Sequence, residues 1–140
     1  GHLGGVARAT ADAATLSAAA GFGVVIIETV GVGQDEVEVA RLADVCVVVT
    51  VPGAGDEVQA LKAGVMEIAD LYVVNKADRE GADVAAAAIE SMLSLDEPRP
   101  GAWRPPVLRV VAATGEGVGA ILGRSRPEPP ARDPHRSRPP

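Results

Sequence analysis

An α/β fold, a parallel sheet with flanking helices, is the class this 140-residue sequence predicts, and three observations predict it. Short apolar, β-branched runs alternate with stretches of helical periodicity, the grammar of βαβ units. Hydrophobic content is 47% with only 2% aromatic, so the core is expected to be built from Ala, Val, Leu and Ile. Small-residue helices over buried parallel strands suit that composition better than an aromatic-rich β-sandwich. Finally, the polar and glycine-rich segments follow the apolar runs, where open α/β sheets place ligand chemistry. Four strands are expected, with residues 1–122 forming one α/β unit and residues 123–140 a separate tail.

Each element has its own signal. After a glycine lead, residues 6–20 read as a helix whose stripe is Val6, Ala9, Ala13, Leu16 and Ala20. A first strand is expected at 24–28, VVIIE, followed by a glycine loop and a short helix over 35–43. The run 45–51, VCVVVTV, is apolar on both faces and reads as a central strand. Pro52-Gly53-Ala54-Gly55 breaks it, and Asp56 suits the N-cap of a helix over 57–69 with the stripe Val58, Leu61, Val65 and Ile68. A third strand at 71–74 leads into Asn75-Lys76-Ala77-Asp78. The next helix, 82–95, is read with Val84, Ala88, Met92 and Leu95 on one face. A proline-punctuated loop with the only tryptophan, Trp103, precedes a fourth strand at 107–111 and the run AATGEG. A final helix stops near Leu122. Residues 123–140 hold six prolines and five arginines, bury almost nothing, and are expected to be disordered.

Composition narrows the function. A net charge of −6 argues against a nucleic-acid surface, which needs a basic footprint. There is no run of 18 apolar residues and no signal peptide, so a soluble, cytoplasmic protein without membrane association is expected. Cys46 is the sole cysteine and reads as core packing. His135 has no ligand-spaced companion for a metal.

Two stretches carry chemistry. In GVVIIETVGVGQD a buried strand ends in Glu28 and runs into Gly31 and Gly33. A carboxylate in that place sits on the Mg²⁺ side of a nucleotide in nucleotide-hydrolysing folds, and a glycine amide beyond it meets the terminal phosphate. A strand ending in a solvated turn explains the same residues equally well. Asn75-Lys76-Ala77-Asp78 is more informative. A carboxylate accepts two hydrogen bonds, matching the N1–H and exocyclic amine of guanine, whereas adenine would leave it unpaired. Asn75 can brace the loops around a base, and the Lys76 stem can cover its ring.

Together GHLGGVARAT, VIIETVGVGQDEVEVA, VPGAGDEVQALKAG, NKAD and WRPPVL…ATGEGV resemble the methylmalonyl-CoA mutase-associated GTPases, the MeaB/ArgK family. The resemblance covers residues 1–118. It implies a P-loop NTPase (G-domain) fold, GTP/GDP and Mg²⁺ as ligands, and GTP hydrolysis. It also implies a chaperone role toward an adenosylcobalamin-dependent mutase, and a homodimer in the complete protein. By the same resemblance Glu28 matches the switch II carboxylate near Mg²⁺, Gly31 the γ-phosphate amide, and Gln34 joins them as catalytic. Asn75, Lys76 and Asp78 match the guanine-specificity motif, with Ala112 and Thr114 completing the base pocket. Asp56, Glu57 and Lys62 belong to a third switch loop that relays the nucleotide state to the mutase.

Departures from the family pattern bound that reading. Val111-Ala112 stands where the family usually has Ser-Ala. No G-x-x-x-x-G-K-[ST] run occurs, so the phosphate cradle is not encoded in these residues. The chain therefore reads as the carboxyl-terminal part of a GTPase domain. Two alternatives stay open: a non-enzymatic remnant that binds a partner, and an ATP-using relative acting on transport-binding proteins, which Asp78 disfavours.

Overall fold

A computed structural model describes residues 5–29, 42–53, 68–95 and 104–124. Along the chain these form α1 (Gly5–Ala19), β1 (Val47–Thr50), β2 (Leu71–Val74), α2 (Ala82–Ser94), β3 (Val107–Arg109) and α3 (Val118–Arg124). The three strands make one parallel sheet in the order β1-β2-β3. Val47 stands opposite Leu71, and Thr50 opposite Val74. On the other side of β2, Tyr72 stands opposite Val107, and Val74 opposite Arg109.

β2 is the central strand of the described sheet. Its four residues, Leu-Tyr-Val-Val, are all buried, because a strand paired on both edges and covered on both faces has no polar side. Tyr72 and Val74 face α2 and share a core with Val48, Ala82, Ala86, Ile89 and Met92. Leu71 and Val73 face the opposite way and pack with Val110, Leu108 and Ile121 of α3. At the amino end of the sheet Asp70 Oδ2 accepts the Cys46 N–H at 2.9 Å, and the Cys46 carbonyl accepts from Asp70 and Leu71. Cys46 is half-buried against the α2 side of the core, and burial, helped by the charge of Asp70, pushes its thiol pKa up.

Four expectations are corrected. Residues 24–28 are not a strand: they run without a ladder partner, with Val24 78% and Ile26 87% exposed. A parallel strand exists only through a neighbour's N–H and C=O groups, and among the described residues nothing pairs with this segment. Second, among the described residues β1 is an edge strand rather than a central one. Its inward face is buried at Val48 and Thr50, while Val49 remains 60% exposed. Third, the α1 stripe does not pack on the sheet. Leu16 is 71% exposed, and among the described residues the helix meets the segment Val25, Ile26 and Ile27 rather than a strand. It lines a groove there with Ala9 and Ala13 of the stripe and with Thr10, Ala14 and Ser17 beside them. Fourth, α2 buries Ala82, Ala86, Ile89 and Met92, whereas Val84 and Leu95 are exposed. Both candidate stripes have helical spacing, and only the sheet's position selects between them.

The helices expected over 35–43 and 57–69 fall almost wholly outside the described residues, as do Trp103 and positions 125–140 of the tail.

Candidate functional site

Parallel pairing brings the carboxyl ends of all three strands to one edge, and the polar motifs sit there. β1 runs into Val51-Pro52-Gly53, β2 into Asn75-Lys76-Ala77-Asp78, and β3 into the turn 111–117. The central loop is fixed on both sides. The Asn75 N–H donates to the Thr50 carbonyl at 2.8 Å, and the Ala77 N–H to the Val110 carbonyl at 3.0 Å. Each bond continues the sheet's hydrogen bonding past the last strand residue, so the start of the loop is tied to both neighbouring strands' ends.

Asn75 does more than extend the ladder. Its Oδ1 accepts the Lys76 N–H at 2.8 Å and the Ala112 N–H at 3.1 Å. One carboxamide oxygen thus joins two loops 37 residues apart in the chain. Lys76 takes up a left-handed backbone, φ 57°, which is uncommon for a residue with a side chain. The Lys76 carbonyl accepts from Arg79, and Gly81, also left-handed, opens α2. Both Lys76 and Asp78 are exposed, so a cation and a carboxylate face solvent within one turn.

The 111–117 turn is closed on itself. The Val111 N–H donates to the Glu116 carbonyl, while the Val111 carbonyl accepts from Thr114 and Gly115. The Thr114 hydroxyl donates to that same carbonyl at 3.2 Å, and its oxygen lies 3.4 Å from the Glu116 N–H that donates to it. The Ala112 contact uses a backbone N–H that any residue except proline supplies. Val111-Ala112 in place of Ser-Ala therefore leaves that contact intact.

The structure brings together Asn75, Lys76, Asp78, Ala112 and Thr114 at this edge. It does not bring Glu28 there: that residue is exposed at the end of the extended segment beside α1. Gly31, Gln34, Asp56, Glu57 and Lys62 lie outside the described residues. Sequence reasoning missed Gly117, whose backbone sits hard against β3; the two glycines of TGEG were the available signal. Among the described residues no group of three or more His, Cys, Asp or Glu side chains is placed to hold a metal ion. Nor is any helix among them long and apolar enough to cross a membrane.

Comparison with known proteins bears on the family and the fold. The chain is 50% identical over 120 residues to a putative GTPase of Pyrococcus horikoshii, covering 84% of this chain and 38% of that protein. It is 42% identical over 124 residues to the GTPase ArgK of Escherichia coli, covering 86% and 38%. To the mitochondrial methylmalonic aciduria type A homolog of Mus musculus it is 43% identical over 121 residues, covering 84% and 29%. A crystal structure of a LAO/AO transport system kinase superposes with a TM-score of 0.72 at 36% identity, over 85% of this chain and 38% of that one. The chain thus spans less than two-fifths of the length of these relatives. The α/β fold is that of the P-loop GTPases, and residues 1–126 match the family described as methylmalonyl Co-A mutase-associated GTPase MeaB, to which this chain belongs.

Proposed function

We propose that this chain supplies the base-reading edge of a GTP-binding, GTP-hydrolysing chaperone of an adenosylcobalamin-dependent acyl-CoA mutase. The observation that carries the reading is the Asn75 carboxamide, which ties the Asn75–Asp78 loop to the Ala112–Thr114 turn beside an exposed carboxylate. Guanine presents two adjacent donors to such a carboxylate, and a loop fixed on both sides holds it ready without reorganisation. Asp78 reads the base, Lys76 covers its ring, and Asn75, Ala112 and Thr114 hold the walls.

The hydrolytic half of the proposal involves Glu28, Gly31 and Gln34. Mg²⁺ is commonly held by one or two carboxylates together with phosphate oxygens. A single exposed Glu28 meets the lower bound of that requirement. When bound, the ion would neutralise charge developing on the phosphates. Asp56, Glu57 and Lys62 are proposed to relay the nucleotide state to the mutase, and a cytoplasmic homodimer is the proposed working form.

The test is base selectivity in the full-length protein. Asp78→Asn is expected to weaken GDP binding about a hundredfold and to favour xanthosine diphosphate, because an amide can donate to the 2-oxo group that a carboxylate repels. An unchanged nucleotide preference would remove Asp78 from the base site.

A second reading, a partner-binding chain without turnover, is favoured by the exposed apolar side chains of Val24, Ile26 and Val49. GTP turnover that disappears in Glu28→Ala would decide for the enzyme; binding of a partner with no turnover would decide for the alternative.

A further inference from the structure

Two glycines of the 111–117 turn look alike in sequence and differ in their surroundings. Gly115 has φ 81° and Gly117 φ 76°, both in the left-handed region that disfavours side chains. Around Gly115 there is open space: a Cβ built there meets nothing within 4 Å. At Gly117 the same Cβ would stand 2.5 Å from the Arg109 carbonyl oxygen, 3.1 Å from Val110 Cγ1 and 3.3 Å from Val110 Cα. Those neighbours cannot give way cheaply. Two of the three contacts are backbone at the end of β3, and Val110 is 2% exposed and packed with Leu71 and Val73. The Val110 carbonyl is also the acceptor that holds the Ala77 N–H of the neighbouring loop.

We propose that Gly117 is a positioning residue of the base site. Its bare α-carbon lets the turn seat directly on the end of β3, and that seating presents the Ala112 N–H to Asn75 Oδ1. The inference rests on the guanine-binding reading above. A methyl group at 117 forces the turn away from β3, because the backbone it meets is anchored in the sheet. The Val111–Glu116 bridge and the Ala112–Asn75 contact then separate together. Gly115→Ala carries the same backbone penalty without the collision, so it separates seating from the general cost of a side chain at positive φ.

Both substitutions are to be made in the full-length protein and followed by amide hydrogen exchange and nucleotide binding. In Gly117→Ala the Ala112 amide is expected to exchange about tenfold faster or more, while Gly115→Ala leaves it within about threefold of the parent. GDP affinity is expected to fall about tenfold in Gly117→Ala with ADP affinity unchanged, so the GDP-to-ADP ratio narrows. Loss of general structure would lower both affinities, and that result would overturn the proposal. Equal exchange at Ala112 in the two variants would overturn it as well. If the parent itself does not prefer GDP to ADP, the guanine reading fails, and the exchange comparison still decides whether Gly117 seats the turn. Should Gly117→Ala not fold, Asn75→Ala removes the acceptor without touching the seat. That variant is expected to lose Ala112 protection and base preference together, and retention of both would overturn the proposal.

Discussion

Lys76 is the one non-glycine residue with positive φ among the described residues, and it stands in the middle of the candidate base-reading loop. A left-handed backbone costs a side-chain-bearing residue roughly 1 kcal/mol, and such outliers cluster where a ligand must be met. Here the conformation is held by the Lys76 N–H to Asn75 Oδ1 bond and by the Arg79 N–H to Lys76 carbonyl bond. Glycine would adopt this φ without steric cost, so a lysine at this site points to a use beyond folding. Lys76→Gly is expected to leave the thermal midpoint unchanged or higher while GDP affinity falls, the signature of strain kept for binding. A parallel fall in both, by calorimetry and by nucleotide titration, would assign Lys76 to folding alone.

At the scale of the element, β2 carries both the core and a cost. Tyr72 is fully buried, and among the described residues its hydroxyl has no hydrogen-bond partner; the Thr50 hydroxyl on the same face of the sheet has none among them either. An unpaired buried hydroxyl costs about 1–3 kcal/mol, and removing it without changing the ring's shape recovers part of that. Tyr72→Phe is therefore expected to stabilise the protein by about 1 kcal/mol in urea unfolding. Burial, with a smaller contribution from the charge of Cys46, raises the Tyr72 pKa from 10 to about 12. A raised phenol pKa means the native state keeps the proton longer than the unfolded chain. Its stabilising contribution is whole below pH 10 and is lost as pH rises through 12. Tyr72 is the only tyrosine, so tyrosinate absorbance reports on it alone. Ionisation near pH 10 in the native protein would contradict its burial. The Arg109 Nε to Asp83 Oδ1 ion pair, 3.0 Å, also links β3 to α2, but both side chains are well exposed and the pair contributes little.

In the molecule as a whole, the described residues leave apolar surface uncovered in two places. The outer edge of β1 pairs with no strand among them, Val49 stands out on one face, and Phe22, Val24 and Ile26 are exposed on the segment leading from α1. Unpaired strand edges and exposed apolar side chains both template association. The 140-residue chain is expected to be marginally stable and to self-associate with rising concentration, and Val49→Lys to reduce that association. Sedimentation and thermal scans check this: a monomer with a sharp, reversible transition and dispersed amide signals would overturn it.

Much of this architecture was legible in the sequence. The bounds of β2 and α2, and the placement of NKAD and TGEG just past strand ends, followed from local rules. Apolar runs, turn glycines and chain direction act over a few residues, and parallel strands necessarily deliver their carboxyl ends to one edge. The sequence alone also carried the family, because ETVGVGQ and NKAD are specific strings whose chemistry is readable without coordinates. Tertiary structure alone decided which of two equally periodic stripes α2 buries, and that among the described residues β1 is an edge and 24–28 form no strand. It alone separated Gly117 from Gly115 and gave Asn75 its second loop. Each of these depends on a partner outside the element itself, from the β3 backbone seven and eight residues before Gly117 to the Ala112 amide 37 residues beyond Asn75. Periodicity names the side chains that can be buried, but only the neighbouring strand, the covering helix or the opposing carbonyl determines which of them are.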